Sequence, residues 1–282
     1  MRRLALAFTL LACSLPARAI LQEQVVELAV TAANARGQSV THPIKLTIFR
    51  DDAVARAPFL ILNHGRSAKA EDFVKMARVR YSDNARYFVR QGFVVLVPTR
   101  IGYGITGGPD IEHSGGCRSK NYPPVYEATA QHTLQILAYA RTLAYVDGER
   151  GIALGQSFGG TAAITIAAKN TPGVVAAVNF AGGGGGNPTE RPGDPCRPDQ
   201  LRKLFAGYGT TARIPTLWLY SENDKYFGRE HPQAWFKAFV AAGGKGEFVQ
   251  LPAHGEDGHG SFTRNPAAWR PAFEDFVRRN GF

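Results

Sequence analysis

The chain has 282 residues and a formal charge of +10, from 33 Lys and Arg against 23 Asp and Glu. That length suits one large α/β domain or two small ones, and no Ser/Gly/Pro-rich linker or internal repeat divides it. The basic residues are scattered rather than grouped in runs, so they read as a solvated surface able to attract anions and not as a nucleic-acid-binding patch.

Met1-Arg2-Arg3 is a basic start, residues 4–15 are an apolar run broken by Thr9 and Ser14, and Ala17-Arg18-Ala19 is a small-x-small cleavage site. The pattern predicts a secretory signal peptide over residues 1–19, cleaved after Ala19, and a periplasmic or secreted protein. The apolar run is too short to span a bilayer, and no second long one follows, so no stable membrane insertion is expected after cleavage. Leu10-Leu11-Ala12-Cys13 only faintly resembles a lipoprotein cleavage box, because the leucine before Ala12 fits poorly. Removing three arginines leaves 10 − 3 = +7 on the mature chain. Residues 20–282 are expected to form a single domain.

Residues 25–31 and 42–49 alternate and turn around Gly37, which predicts an opening hairpin. Residues 58–63 and 93–98 are continuous apolar runs suited to buried strands. Between them, residues 71–90 carry helical spacing. A helix is expected over 126–145, a strand at 152–154 and a helix over 161–169. Strands at 174–180, 216–220 and 247–251 follow, with helices over 232–242 and 266–279. Buried strands alternating with helices predict a mostly parallel sheet covered on both faces. Two irregular stretches, 99–124 and 181–211, follow strands and should overhang the carboxyl edge of the sheet, where ligands bind in open α/β folds. The second contains five consecutive glycines, Gly182 to Gly186. Cys117 and Cys196 lie one in each stretch, an even pair in an exported chain, and are expected to form a disulfide that shapes the site.

Gly155-Gln156-Ser157-Phe158-Gly159 sits between a predicted strand and a predicted helix and fits the nucleophile elbow. A serine hydroxyl needs a base, an orienting acid and donors for the oxyanion. The partners should follow in the order Ser, acid, His. The acid is Asp224 or Glu222 in the loop after residues 216–220, with Asp224 better placed. The base is His259 or His254 after residues 247–251, with His259 favoured by its flanking glycines. The remaining histidines are out of order or elsewhere, and no spacing suggests a zinc site; no cofactor is implied. The oxyanion amides are expected from Phe158, after the nucleophile, and from Arg66 in the loop Asn63-His64-Gly65-Arg66-Ser67.

His64-Gly65-Arg66, Arg100-Ile101-Gly102-Tyr103-Gly104-Ile105-Thr106-Gly107-Gly108, the elbow, the loop ending in Asp224 and Asp257-Gly258-His259-Gly260 together resemble the α/β-hydrolase superfamily, in particular its dienelactone-hydrolase-like branch. The resemblance spans nearly the whole mature chain. It implies an eight-stranded, mostly parallel sheet and a Ser-Asp-His triad acting on a small-molecule ester. The chain departs from the dienelactone hydrolases proper, which use cysteine as nucleophile. Tyr103, Tyr122, Tyr208, Tyr226 and Phe227 are candidates to line a substrate pocket. Two other readings stand beside an exported serine esterase. A prolyl-oligopeptidase-like peptidase would call for a large gating domain that this length does not accommodate. A binding protein on a hydrolase scaffold would show a broken triad.

Overall fold

Within residues 58–63, alternate side chains feed two different cores. Leu60 and Leu62 pack with Phe88, Trp269 and Phe273, whereas Phe59 and Ile61 pack with Ile136, Leu137 and Ala163. A strand buried on both faces reads as an unbroken apolar run, because successive residues point to opposite sides of the sheet. The computed structural model describes residues 21–282; the expected signal peptide, its cleavage after Ala19 and the lipid site at Cys13 lie outside the described residues.

The strands are β1 Leu21–Ala33, β2 Ser39–Asp51, β3 Ala57–Asn63, β4 Val94–Thr99, β5 Val146–Gln156, β6 Val174–Phe180, β7 Thr216–Ser221 and β8 Gly246–Leu251. They form one eight-stranded sheet in the order β1-β2-β4-β3-β5-β6-β7-β8. β2 pairs antiparallel with β1 and β4, and β4, β3, β5, β6, β7 and β8 run parallel. The helices are α1 Ala70–Val74, α2 Ser82–Arg90, α3 Pro123–Ala140, α4 Phe158–Ala168, α5 Pro198–Thr211, α6 Glu230–Ala241, α7 Ser261–Arg264 and α8 Pro266–Arg279. They cover both faces of the sheet, the α/β-hydrolase architecture. Among the described residues no helix is long and apolar enough to cross a membrane.

Two expectations about elements need correction. The helix expected over 71–90 is two helices, α1 and α2, with residues 75–81 between them. Tertiary partners claim that link. The Val79 amide donates to Thr99 Oγ1 at 2.9 Å, and Arg78 and Arg80 both pair with Glu23 on β1. Tyr81 takes a left-handed φ of 47° before α2 starts. The second correction is in 181–211, whose latter half is α5. Pro198 opens that helix and Leu201 and Phe205 point into the core. The signal was available as Leu201, Leu204, Phe205 and Tyr208 at helical spacing after a proline. Gly207 and Gly209 obscured it. Gly209 is there because α6 crosses closely: a Cβ would lie 2.1 Å from the Phe239 carbonyl oxygen.

Candidate active site

β5 ends at Gln156 and α4 begins at Phe158, so the chain reverses on Ser157. Ser157 sits at φ 55°, ψ −123°, a strained conformation for an L-residue. Neighbouring bonds impose it. The Ser157 amide donates to the Phe180 carbonyl at 2.8 Å, and the amides of Gly160 and Thr161 donate to the Ser157 carbonyl at 2.8 and 3.3 Å. Strand and helix cross so closely that a Cβ on Gly155 would lie 2.0 Å from the Gly159 oxygen, and one on Gly159 2.2 Å from the Asn63 oxygen.

The loops after β7 and β8 bring an acid and a histidine to the hydroxyl. His259 Nε2 lies 2.9 Å from Ser157 Oγ, and His259 Nδ1 lies 2.9 Å from Asp224 Oδ2. Asp224 is buried, and its Oδ1 accepts from the amides of Tyr226 and Phe227 at 2.7 and 3.0 Å. Both carboxylate oxygens are therefore committed, one of them to the imidazole. His259 is fixed by its amide, which donates to Asp257 Oδ1 at 3.0 Å, by the Tyr226 ring stacked at 4.1 Å and by the Phe227 ring edge-on at 5.2 Å. With Nδ1–H donating to Asp224, the bare Nε2 faces the serine hydroxyl and can accept its proton. The alternatives lie elsewhere. Glu222 is exposed and 3.5 Å from Arg229, and the His254 amide donates to Asn223 Oδ1 at the surface of the same loops. His132 is buried within α3, and His42 Nε2 lies 2.9 Å from the Thr106 carbonyl oxygen.

The loop after β3 lies against the elbow. A Cβ on Gly65 would be 3.0 Å from Ser157 Cβ, so the residue before Arg66 touches the serine through its backbone. Phe158 is the first residue of α4, where helix geometry leaves amides unpaired and the dipole is positive.

What holds this loop is a network that sequence reading missed. Arg100 is fully buried at the end of β4. Its amide donates to His64 Nε2 at 3.2 Å and its Nη1 to the His64 carbonyl at 2.8 Å. Its Nε and Nη2 donate to Glu112 at 2.6 and 3.0 Å. Glu112 also accepts from Tyr103 Oη at 2.5 Å and Thr129 Oγ1 at 2.8 Å. Burial pushes the Glu112 carboxyl up, but the adjacent Arg100 charge and hydrogen bonds outweigh it and hold it down at about 2. Burial, then repulsion from Arg100, pushes His64 down to about 3, so it is neutral, with Nδ1 2.7 Å from the Gly65 oxygen. The Arg66 guanidinium completes the cluster on Tyr103 Oη and Asp110, at 3.1 Å and at 2.8 and 2.6 Å. A signal existed: an arginine directly after a buried strand needs an acidic partner, and Asp110 and Glu112 are near in sequence.

Two cavities meet at Ser157. One of about 140 Å³ lies beside Phe158, Tyr122 and Phe227 under the glycine run. The other, of about 300 Å³, lies on the His259 side against Asp72, Met76, Tyr81 and Gln156. Arg66, Ser67 and Tyr226 border both. Tyr103 is taken up in the Glu112 network, and Tyr208 lies on α5 away from both cavities. The glycine run is packed: the Gly182 and Gly183 carbonyls accept from the hydroxyls of Tyr220 and Tyr126 at 2.7 and 2.9 Å, and the Tyr122 hydroxyl oxygen lies 3.2 Å from the Gly184 carbonyl oxygen. Cys117 and Cys196 are disulfide-bonded, with Cα atoms 5.0 Å apart, and tie the loops after β4 and β6 together. Among the described residues no group of three or more His, Cys, Asp and Glu could hold a metal ion.

The profile of the dienelactone hydrolase family matches residues 76–276. No curated protein matches the chain. Among solved structures, it is similar to an acylaminoacyl peptidase in complex with Z-Gly-Gly-Phe-chloromethyl ketone, at 14% identity and a TM-score of 0.62. That likeness covers 91% of this chain and 41% of the peptidase, so the chain spans about two fifths of its length. It is also similar to an acetyl xylan esterase from Paenibacillus, at 15% identity and a TM-score of 0.60, over 92% of this chain and 89% of the esterase. A putative dienelactone hydrolase from Klebsiella pneumoniae is 16% identical with a TM-score of 0.56, over 91% of this chain and 96% of that one. At these identities the structural likeness establishes a shared fold, and it is the profile, running from residue 76 through the elbow and both loops of the histidine and its acid, that makes the chain a hydrolase belonging to the dienelactone hydrolase family.

Proposed function

We propose that the protein is an exported serine hydrolase, one domain over residues 20–282, that cleaves a carboxylic ester. The observation that carries the reading is the unbroken pair of 2.9 Å contacts from Ser157 through His259 to Asp224, opening onto two cavities. His259 Nε2 takes the hydroxyl proton as Ser157 Oγ attacks the ester carbonyl. The carbonyl electrons move onto oxygen, where the amides of Arg66 and Phe158 stabilise them. Collapse breaks the bond to the alkoxy oxygen, which leaves with the proton from His259. Water repeats the sequence on the acyl-enzyme and frees the acid and Ser157. Asp224 keeps the imidazole in the required tautomer and stabilises its charged form. A disulfide fits an oxidising compartment, which supports export together with the sequence of residues 1–19.

Fluorophosphonate labelling with peptide mapping tests the nucleophile, and 4-nitrophenyl esters against aminoacyl-nitroanilides test the bond. Labelling at Ser157 with ester turnover is the expected result. No label at Ser157 would overturn the serine mechanism, and nitroanilide turnover exceeding ester turnover would replace the esterase by a peptidase.

A further inference from the structure

The two cavities at Ser157 differ in charge. The smaller one is bordered by Arg66, Lys120 and Arg191, of which only Arg66 has a carboxylate within ion-pair distance among the described residues, Asp110 at 2.6 Å. The larger one, of about 300 Å³, is bordered by the same neutralised Arg66 and by Asp72. Asp72 Oδ2 accepts from the Ser67 hydroxyl at 2.8 Å, and no cationic side chain stands within ion-pair distance of this carboxylate among the described residues. A neutral hydroxyl thus positions the acid and leaves its charge uncompensated. Asp72 is exposed, so water solvates it in the free protein and a cation entering the cavity can take the place of that water.

The Tyr226 hydroxyl, which makes no hydrogen bond among the described residues, senses the same sign. Burial, then the carboxylates of Asp257, Asp224 and Asp72, pushes it above the ordinary phenol range, against the opposing charge of Arg264. Arg264 is turned to the Asp257 carbonyl, to which its Nη2 donates at 2.9 Å, and does not border the cavity.

The chemistry says which part of a substrate enters here. The imidazolium that protonates the departing oxygen must be within reach of it, so the alcohol portion leaves on the His259 side. His259 borders the larger cavity and not the smaller. Tyr81, Tyr226 and Met76 border it too. Tyr81 is fixed beside the elbow, with its hydroxyl donating to Gln156 Oε1 at 2.9 Å. Aromatic faces attract an ammonium group through their quadrupole. A cavity of about 150 Å³ takes one benzene ring, so one of about 300 Å³ admits a trimethylammonioethyl group, which has no more heavy atoms than that ring.

We propose that the larger cavity is a cation-binding subsite for the alcohol portion, so that the preferred substrates are esters of amino alcohols. This rests on the serine esterase reading. The ammonium group sits against Asp72 and the tyrosine rings while the ester carbonyl meets Ser157. The alkoxy oxygen leaves with the proton from His259, water takes the acyl group, and the products are a carboxylic acid and a cationic alcohol. Asp72 determines specificity from outside the contacts that join Ser157, His259 and Asp224.

The test compares acetylcholine with 3,3-dimethylbutyl acetate, in which carbon replaces the charged nitrogen, by pH-stat titration at neutral pH. At low salt kcat/KM should favour acetylcholine by about tenfold, the scale of a cation–π contact joined to an exposed ion pair. The advantage should shrink as salt rises, a readout in the wild-type protein that needs no variant. In Asp72→Asn the ratio should fall by about threefold or more, and Asp72→Lys should turn it in favour of the neutral ester. If wild-type protein cleaves the neutral ester as well as acetylcholine, or Asp72→Lys keeps the wild-type ratio, the subsite is overturned and the esterase reading stands. Turnover of 4-nitrophenyl acetate with neither of the two esters cleaved has the same meaning. If Ser157 takes no fluorophosphonate, the esterase reading fails and the subsite falls with it.

Discussion

On the His259 side of Ser157 the wall is made by short loops after β7 and β8, and their polar groups are satisfied locally. Asp224 takes amides two and three residues on, and Asp257 takes the amides of Lys225 and His259. On the Lys120 side the wall is made by two long segments, 99–122 and 181–197, held by a disulfide and tyrosine hydroxyls. There two cations are left without acids. The first wall holds Ser157, His259 and Asp224 within hydrogen-bond reach of one another. The second borders the smaller cavity without entering those contacts. On the proposed function, chemistry and selectivity should therefore be separable by substitution.

The largest effect should come from breaking the first wall's target. Ser157→Ala and His259→Ala are each expected to lower kcat by a factor of about 10⁴ or more, because such groups act as a unit. Circular dichroism should show both folded. More than about a tenth of wild-type turnover in either would mean that the chemistry lies elsewhere.

Asp224→Asn sharpens the same wall. The amide cannot hold the imidazole in the right tautomer, and a loss of about 10⁴ in kcat is expected. Glu222→Gln and His254→Ala are the controls. Their side chains sit outside the contacts of the wall, and each should change kcat/KM by less than about threefold, the range of a surface substitution. A dead His254→Ala variant would reassign the base.

These two walls were unequally legible in the sequence. Gly155-Gln156-Ser157-Phe158-Gly159 announces its own geometry, since a strained serine between two close backbone crossings admits few residue types. The order of Asp224 and His259 behind their strands follows from topology. The sheet was legible too, because strands such as β3 and β4 are buried on both faces. Lys120 and Arg191 were not, since nothing local in a chain with 33 scattered cations shows which ones lack an acid. The break at residues 75–81 was obscured for the same reason, since Glu23, which pairs with Arg78 and Arg80, is distant in sequence, whereas α5 had a local signal that Gly207 and Gly209 masked.

The Arg100–Glu112 pair lies behind both walls and should act mainly on stability. Glu112→Gln leaves the buried Arg100 charge uncompensated, with an expected loss of about 3–5 kcal/mol in urea unfolding. The pH dependence has a definite sign. Glu112 is depressed from its ordinary 4.5 to about 2, so the stability it contributes is complete above about 4.5 and lost as pH falls towards 2. His64 is depressed from 6.5 to about 3, so the unfolded chain gains a proton first and stability falls as pH drops from 6.5 towards 3. Stability should therefore fall continuously from about pH 6.5 downwards. A urea midpoint unchanged between pH 6.5 and 4.5 would show that His64 is not held as described, and one unchanged from pH 4.5 down to 3 would show the same of Glu112.

Reduction of Cys117–Cys196 should have the smallest effect on turnover and is the sharpest probe of the second wall. The bond spans 79 residues, and the chain-entropy model gives about 4–5 kcal/mol for such a loop, an upper value that real cases often miss. Melting temperature should fall on reduction. The proton path should survive, because no bond from Ser157 to His259 to Asp224 passes through either cysteine. Selection should not survive equally well. The Tyr122 hydroxyl donates to the Cys196 carbonyl at 2.5 Å, and the Cys196 amide donates to the Gly185 carbonyl at 3.0 Å, so the bridge is tied directly to the glycine run that roofs the smaller cavity. Loosening it frees the glycine run, and the preference among 4-nitrophenyl esters of different acyl length should weaken while fluorophosphonate labelling of Ser157 continues. Reduced protein that keeps the full preference would show that the second wall is held by its tyrosines and glycines alone. Reduced protein that no longer labels would show that the two walls are one.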